Sequence, residues 1–261
     1  MRRDWHLVLG YSALGAAAAF VPLWGIAVGP HRLIWAGALA LVLAVTGYLL
    51  WVYRWWIDFP GGSIMRGPKG RGRVALTFDD GPNGATTEAI LDVLGRRGAH
   101  ATFFCVGKHA AAQPGVIRRM AAEGHTIGNH TEEHRKLAWL PAAGIAHQID
   151  AAQQSIQSAG AAAPVYFRAP HGFKSPLLPG ILRRRGMRLC AWTHCLRDFE
   201  RPGANVLVDR ARARLEDGAI LLLHDGGGDR SHTVEALDGI LAECEKRGLR
   251  AVSIAELLAP N

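Results

Sequence analysis

The chain has 261 residues with 30 lysines and arginines against 22 aspartates and glutamates, and this length can hold one large α/β domain or a smaller domain with an appendage. The resulting net charge of +8 selects no partner by itself, but the chain has no RNA-binding motif and its arginines are not interleaved with aromatics, which argues against a nucleic-acid partner. The four cysteines show no CxxC spacing, so we expect them to be reduced rather than paired in disulfides.

Two long uncharged stretches dominate the beginning of the chain, at residues 7–28 and 33–53. Each matches the roughly 20 apolar residues that cross a hydrocarbon core of about 30 Å. Only "GPHR" separates them, and the aromatic segment "WVYRWWIDF" at the end of the second suits a membrane interface. The pattern predicts a hairpin of two transmembrane helices. A signal peptide, with Arg2 and Arg3 in front, is the alternative interpretation of the first stretch.

The charges around this predicted hairpin, which we assign to residues 1–58, indicate its orientation. Basic residues flank it on the outside, at Arg2, Arg3, Arg54, Arg66, Lys69, Arg71 and Arg73, whereas the turn carries only Arg32. The positive-inside rule then predicts a two-span cell-membrane protein whose following domain is cytoplasmic. If the first stretch is cleaved or fails to insert, the domain faces outward. The Gly/Pro-rich residues 59–72 are predicted to be a linker.

Residues 73–256 alternate between β-rich runs and segments with helical periodicity. The predicted strands are 73–78, 100–107, 125–130, 165–170, 187–192, 219–225 and 249–254. The predicted helices are 86–98, 114–124, 141–160, 177–186, 205–218, 233–248 and 255–258. About seven strand-helix repeats imply parallel strands with helical crossovers, and therefore an α/β sheet or barrel.

Polar side chains follow several of these strands at the point where each strand ends. They are Asp79, Asp80, His130, Arg168, His224 and Asp225. Because chemistry in α/β folds collects at the carboxyl ends of strands, we expect these residues around one shared site. Two adjacent carboxylates repel each other, and burying either one without a partner is costly. The pair Asp79 and Asp80 therefore indicates a cation, a shared proton, or both.

The segment "HTEEH" supplies two histidines, His130 and His134, at a spacing that places both rings on one side of a helical turn. With Asp80 they offer two nitrogens and one oxygen. Three protein ligands with open positions are typical of catalytic rather than structural zinc, and such a set also accepts other divalent ions. Thr131 is expected only to hydrogen-bond the loop. Glu132 and Glu133 are expected to be solvated charges.

Five segments in this order, "TFDDGP", "HTEEH", "RAPHG", "WTHCLRDF" and "ILLLHD", resemble the motifs of NodB-type polysaccharide deacetylases, carbohydrate esterase family 4. The resemblance covers about residues 72–256. It implies a distorted (β/α) barrel that follows the two transmembrane helices. It also implies removal of an N-acetyl group, or sometimes an O-acetyl group, from a sugar.

The same resemblance implies a role for each matching residue. Asp79 would be the general base, and Arg168 would orient it. Asp80, His130 and His134 would be the ligands of one divalent metal ion. His224 would be the general acid with Asp198 near it, and the backbone N–H after Pro170, that of His171, would donate to the oxyanion. Zinc is the expected ion, with cobalt, nickel or manganese also possible. These roles agree with what a metal, a base and an acid each contribute to amide hydrolysis.

The chain also departs from the family pattern. In "RAPHG" His171 stands where members commonly carry a tyrosine, and around "WTHCLRDF" Cys195 and Phe199 replace an aspartate and a tryptophan. The shape of the sugar groove is therefore expected to differ, whereas base, ligands and acid are intact. Asp225 is expected to cap the glycine run that follows it. The remaining histidines, His100, His109, His125, His147, His194 and His232, are interpreted as structural.

The sequence thus predicts a membrane-anchored, metal-dependent hydrolase of a non-peptide carbon–nitrogen bond. Its substrate would be an N-acylated amino sugar in a polysaccharide or a lipid-linked glycan, and the expected acyl group is acetyl. An O-acetyl carbohydrate esterase and a non-catalytic membrane-anchored sugar-binding protein are the alternatives. A non-catalytic relative would be expected to lose Asp79 or His224 first, and both are present.

Overall fold

The computed structural model describes residues 31–53, 62–172 and 175–260, in two compact units, Met1–Ile57 and Asp58–Asn261. In the first unit, helix α1 spans Arg32–Tyr53 and leaves apolar side chains such as Leu33 and Ile34 exposed. The predicted span 7–28 lies outside the described residues. Among the residues that are described, no helix combines the length and the apolar character needed to cross a membrane.

The second unit alternates strands and helices through most of its length. Its strands are β1 Arg73–Asp79, β2 Thr102–Cys105, β3 Thr126–Asn129, β4 Tyr166–Phe167, β5 Arg188–Leu189, β6 His194–Cys195, β7 Ile220–His224 and β8 Arg250–Val252. Its helices are α2 Gly84–Arg96, α3 Gly107–Ala112, α4 Pro114–Ala122, α5 Ala142–Ser158, α6 Leu178–Arg183, α7 Ala204–Arg212, α8 Ser231–Lys246 and α9 Ile254–Leu258. Short 3₁₀ turns lie at Leu137–Trp139, Pro170–Gly172 and Asp198–Glu200.

The eight strands form one sheet in the order β5-β4-β3-β2-β1-β7-β6, with β8 pairing β1 beside this path. Every pair of neighbouring strands is parallel. Parallel neighbours require crossover connections, and here helices supply most of them. The sheet curls into a half-barrel. The predicted α/β class with parallel strands is therefore confirmed, and the strand missed by the prediction is the two-residue β6.

The central strand β1 reads "RVALTFD" and is buried at its last six positions. A near-continuous apolar run of this kind is expected where both faces of a parallel sheet are covered. The larger core cluster joins β1, β2 and β7 to helices including α2, α4 and α8. A smaller cluster lies under α5 and α6 on the β4 side. The core thus holds the strand ends in fixed register, which positions the polar residues that follow them.

The predicted linker, residues 59–72, includes residues 62–72, which belong to the second unit and make hydrogen bonds with distant residues of it. Ile64 is buried, its N–H donates to the Leu189 carbonyl at 2.8 Å, and it forms a parallel bridge with Cys190. Asp217 accepts backbone hydrogen bonds from Arg71 at 3.0 Å and Arg73 at 2.9 Å. These tertiary contacts have no periodic signature in the sequence.

Candidate active site

The register of the parallel strands brings the polar residues at their carboxyl ends to one edge of the sheet. Asp79 lies opposite His224 on β7 and opposite Phe104 on β2. Asn129 at the end of β3 lies opposite Phe167 on β4. His130 and Arg168 directly follow Asn129 and Phe167, so they reach the same edge. The convergence expected from the strand-end pattern is present.

Asp79 is held by the guanidinium of Arg168, and both side chains are buried. The Arg168 Nη1 atom donates to Asp79 Oδ1 and to Thr77 Oγ1, each at 2.7 Å, and Nη2 donates to the Ala191 carbonyl at 2.8 Å. The guanidinium carbon also lies 4.0 Å from the centre of the Phe104 ring. Because Arg168 occupies Oδ1, the second carboxylate oxygen of Asp79 is the one that faces the histidines, with Oδ2 3.8 Å from His130 Nε2.

Asp80, the neighbouring carboxylate, has different partners. Its Oδ1 lies 2.9 Å from His134 Nε2 and 3.4 Å from His130 Nε2. Burial alone would raise the pKa of Asp80, but hydrogen bonds and charge from the two histidines hold that pKa well below its usual range. Asp80 is therefore a carboxylate at neutral pH. The two adjacent aspartates are separated in function by their partners, an arginine for one and two imidazoles for the other.

The donor atoms of Asp80, His130 and His134 suit a single divalent ion. Their candidate ligand atoms all lie within 4.8 Å of one another. The Nδ1 of His130 lies 2.8 Å from the Arg168 carbonyl, which only accepts, so Nδ1 carries a proton and Nε2 is the nitrogen left for a metal. One carboxylate and two imidazoles are the donor set of catalytic zinc sites with open positions. The residues present thus fit the metal that the sequence predicts.

The segment that carries the two histidines is a loop, so the predicted helical turn is wrong. Thr131 and His134 both adopt left-handed backbone angles, at φ 68° and φ 58°. Side-chain hydrogen bonds hold this shape: Asn129 Oδ1, two residues away, accepts from the Thr131 N–H at 2.9 Å, and the Gln148 side chain accepts from the Glu133 N–H at 3.0 Å. Glu132, which we expected to be solvated, is half-buried and accepts from Ser155 Oγ at 3.0 Å.

His224 and Asp198 form a second buried pair at this edge. The Nδ1 of His224 lies 2.7 Å from Asp198 Oδ1, and the His224 N–H donates to Asp198 Oδ2 at 2.7 Å. Thr233 Oγ1 also donates to Asp198 Oδ2, at 3.0 Å. Burial works to lower the pKa of His224, but the Asp198 carboxylate, helped by the charges of Asp79 and Asp80, outweighs it and raises that pKa above 6.5. Nε2 is the nitrogen left for a substrate.

The "RAPHG" segment places an imidazole beside the three candidate ligands. His171 adopts a left-handed conformation, at φ 57° and ψ 8°, directly after the buried Pro170. Its ring lies edge-on to that of His134, with 4.5 Å between centres. Partial burial, and the positive charge of His134, lower the pKa of His171 to about 4. His171 is therefore a neutral ring at neutral pH on the rim of the site.

Asp225 does not cap the glycine run, contrary to the sequence prediction. It is fully buried, and its Oδ2 accepts from Thr87 Oγ1 at 2.7 Å. It packs so tightly on Gly81 that a side chain there would lie 1.9 Å from Asp225 Oδ2. Burial, with the nearby charges of Asp80 and Asp79, raises the pKa of Asp225 to about 7. Asp225 therefore packs against the turn that follows Asp80, at Gly81.

Other residues around the site were overlooked in the sequence. Asn129 and Gln148 shape the histidine loop, His109 Nδ1 donates to the Asp80 carbonyl at 2.9 Å, and Arg230 holds the glycine run. A buried polar residue at a strand end, such as Asn129, could have been found from its position alone. Gln148 and His109 reach the site from other parts of the chain, and Arg230 lies beyond the end of β7, so the strand-end pattern does not signal them.

Comparisons with known proteins agree with this geometry. A family model described as polysaccharide deacetylase matches residues 66–190. A chitooligosaccharide deacetylase of Bradyrhizobium sp. (strain ANU 289) is 37% identical over 196 residues, covering 70% of this chain and 90% of the relative. A peptidoglycan-N-acetylglucosamine deacetylase of Bacillus cereus is 33% identical over 218 residues, covering 83% of this chain and 95% of the relative. The structure of a family 4 carbohydrate esterase from Streptomyces lividans, in complex with acetate, matches with a TM-score of 0.66 and 30% identity, covering 69% of this chain and 92% of that one.

A curled parallel sheet with this cluster at its carboxyl edge, together with these relatives, defines an enzyme of the carbohydrate deacetylase class. The chain belongs to the polysaccharide deacetylase family.

Proposed function

We propose that this enzyme uses one divalent metal ion, zinc by expectation, to remove the acetyl group from an N-acetylated amino sugar in a glycan. The observation that carries the proposal is that the two adjacent carboxylates have different hydrogen-bond partners. Asp79 is bound to Arg168, which leaves one oxygen for proton transfer, whereas Asp80 faces His130 and His134. Amide hydrolysis needs such a base beside an electrophilic centre.

Asp80 Oδ1, His130 Nε2 and His134 Nε2 would hold the ion. When bound, such an ion polarises an acyl carbonyl and lowers the pKa of nearby water. The protein's own contribution is to present these three atoms together. The bond from His130 Nδ1 to the Arg168 carbonyl fixes the His130 ring, and the same arginine binds Asp79. Arg168 thus links the ligand set to the base.

Asp79 is the proposed general base. Its Oδ1 is occupied by Arg168, so Oδ2 would accept the proton from the water molecule that attacks the acetyl carbon. Hydrogen bonds to Thr77 Oγ1 and the Ala191 carbonyl hold the Arg168 guanidinium, which would in turn orient the Asp79 carboxylate. The backbone N–H of His171, whose ring contacts that of His134, would donate to the oxygen that gains negative charge.

His224 is the proposed general acid. An amine is a poor leaving group unless it is protonated as the carbon–nitrogen bond breaks. Asp198 holds the Nδ1 side of the ring, so Nε2 would donate the proton to the sugar nitrogen. The raised pKa of His224 keeps the ring protonated toward neutral pH, as an acid requires. The strand register sets it beside Asp79, so base and acid flank the same bond.

The substrate proposal rests on the relatives. One is named for chitooligosaccharide and the other for the N-acetylglucosamine of peptidoglycan, so we propose a glycan that contains N-acetylglucosamine. Phe199, 48% exposed and edge-on to His224 at 5.8 Å, would contact the sugar or its acetyl group. Phe199 stands where family members commonly carry a larger tryptophan, so the sugar would meet a smaller aromatic surface on this side.

We also propose, from the charge pattern of the sequence, that residues 1–58 anchor the enzyme in the cell membrane and leave the catalytic domain in the cytoplasm. A lipid-linked glycan at the inner leaflet would then be the substrate. An active alkaline phosphatase fused to the C-terminus would instead place the domain outside and favour a cell-wall polymer.

The catalytic proposal is tested with the full chain, purified in detergent, on N-acetylglucosamine oligomers. Released acetate and free amine should appear in equal amounts, a chelator should abolish both, and added Zn²⁺ or Co²⁺ should restore them. The Asp79→Asn variant serves as the inactive control. Full activity after complete removal of divalent ions would contradict the proposal.

A further inference from the structure

We propose that Arg230 is a positioning residue for Asp80, acting through the three glycines of residues 226–228, which we call the glycine loop. The inference rests on the proposed role of Asp80 as a metal ligand. It concerns what holds that carboxylate in place. The five motifs recognised in the sequence include neither Arg230 nor the glycine loop.

Arg230 is a buried arginine, 5% exposed, whose guanidinium is directed at backbone carbonyls rather than at a carboxylate. Its Nε donates to the Gly226 carbonyl at 2.9 Å, its Nη2 to the Gly227 carbonyl at 3.0 Å and its Nη1 to the Asp229 carbonyl at 3.1 Å. A rigid planar fork with several donors can hold three carbonyls at once, which a lysine ammonium cannot do in this geometry. Arg230 therefore defines the shape of the loop.

The glycine loop lies directly against Asp80. A side chain at Gly226 would lie 2.2 Å from the Asp80 carbonyl oxygen. A side chain at Gly227, which has φ +73°, would lie 2.7 Å from Asp80 Oδ2 and 3.3 Å from Arg230 Nη2. Only glycine allows this approach, because any other residue would displace the carboxylate. The loop thus lies directly against the Asp80 carboxylate, and Arg230 Nη2 lies on the same side of Gly227 as that carboxylate.

Asp80 needs such support because its own backbone is unfavourable. It adopts φ 75°, a conformation that residues other than glycine seldom take and that persists only when the surroundings enforce it. Its carbonyl accepts from His109 Nδ1 at 2.9 Å on one side and meets the glycine loop on the other. Removing Arg230 would remove the three hydrogen bonds that hold the loop carbonyls, and the loop would no longer support the Asp80 backbone and carboxylate in their present position.

The consequence is an effect on metal affinity. Outer residues that orient a metal ligand typically contribute 10- to 100-fold to affinity. We expect the Arg230→Met variant to bind Zn²⁺ about 10- to 100-fold more weakly than wild type, and Arg230→Lys to lie between them. Gly227→Ala should weaken binding similarly while Arg230 is intact, because its new side chain would collide with Asp80 Oδ2.

Matched controls separate positioning from a general loss of structure. Arg247 also donates to backbone carbonyls, those of Leu215 and Arg212, but it follows the far end of α8 from Arg230. Gly248 has a similar φ of +65° with nothing within 4 Å of an added side chain. Arg247→Met and Gly248→Ala should therefore bind Zn²⁺ like wild type, whatever they do to thermal stability.

The experiment titrates Zn²⁺ against a chromophoric chelator into metal-free full chain, with circular dichroism and the melting temperature recorded for every variant. Weaker binding by folded Arg230→Lys and Gly227→Ala, with unchanged binding by both controls, supports the inference. The inference about Arg230 is overturned, and the metal site is kept, if Asp80→Asn loses the wild-type Zn²⁺ binding but the other variants keep it within twofold. Those variants are Arg230→Lys, Arg230→Met and Gly227→Ala. A wild type that binds no Zn²⁺ overturns the proposed metal site as well.

Discussion

Two pairs of histidines lie at opposite ends of strand β3 and its neighbour, and only one pair is arranged to bind a metal. His130 and His134 follow β3 at its carboxyl end, and both Nε2 atoms face the same oxygen of Asp80. His100 and His125 precede β2 and β3 at the amino end, with rings edge-on and 5.9 Å between centres. Both pairs have carboxylates nearby, so residue type alone does not distinguish them.

The difference lies in what each ring nitrogen already does. At the amino end, His100 Nδ1 lies 2.9 Å from Glu256 Oε1, while His125 Nδ1 accepts from the Ala101 N–H at 3.2 Å and its Nε2 is 3.7 Å from Glu123. Each ring is engaged separately. In the described part of the chain, only Asp80, His130 and His134 bring three candidate ligand atoms within 4.8 Å of one another. The carboxyl end is thus distinguished as the candidate metal site by the convergence of ligand atoms on one point, not by the types of residue present.

The largest effect is expected at the carboxyl end, from Asp79→Asn. The amide keeps the shape of the carboxylate but cannot accept the water proton, so kcat should fall by about 10²- to 10⁴-fold. Metal content should be unchanged, because Asp79 is not among the three proposed ligands. The check is kcat on N-acetylglucosamine oligomers together with zinc analysis of the same preparation. Retention of more than a tenth of wild-type kcat would remove Asp79 from the role of base.

A smaller effect, on the pH profile, is expected from Asp198→Asn. The Asp198 carboxylate raises the pKa of His224, and the acid must be protonated to donate. Wild-type activity should therefore fall as pH rises through that pKa. Without the carboxylate the pKa is lower, so the descending limb should move to lower pH. The measurement is kcat against pH for both proteins, with metal saturating. A limb that stays in place would show that another group sets it.

The smallest effect on activity is expected at the amino end, from His125→Leu. Burial lowers the pKa of His125 to about 4, so between that value and its unfolded pKa of about 6.5 the unfolded chain binds the extra proton. Stability from this group is thus present above pH 6.5 and lost as pH falls toward 4. The leucine variant should lack that part of the acid-side slope.

The same variant leaves the Ala101 N–H without its acceptor, which should cost about 1–3 kcal/mol in the free energy of unfolding at pH 7. Its kcat and metal content should equal those of wild type. Denaturant unfolding at pH 5 and pH 7 provides the comparison. A loss of metal in a folded His125→Leu protein would mean that the two ends are coupled.

The position of the candidate site at the carboxyl ends of the strands can be predicted from the sequence, for physical reasons. Buried parallel strands such as β1 are continuous apolar runs, and the residue that follows each strand reaches one edge of the sheet, so Asp79 and His224 could be placed together. Their roles came from the resemblance of the motifs. The pairing of Asp79 with Arg168 joins residues 89 positions apart, which no local pattern specifies.

Several local signals are overridden by contacts that the structure makes. The spacing of His130 and His134 suggested a helical turn, but Asn129 and Gln148 hold the loop with left-handed residues. Ile64 lies in a Gly/Pro-rich stretch yet pairs with β5. Asp225 looked like a loop cap but packs under Gly81. Sequence reasoning succeeded where periodicity decides and failed where distant partners do.

The central claim, that the carboxyl-end histidines and not the amino-end pair bind the metal, is tested most directly by Zn²⁺ stoichiometry. Isothermal titration of metal-free wild type, His134→Ala and His125→Leu should give one ion per chain for the first and third. The His134→Ala protein should bind at least tenfold more weakly, because three-ligand sites depend on every ligand. Undiminished binding by His134→Ala together with loss of binding by His125→Leu would contradict the account.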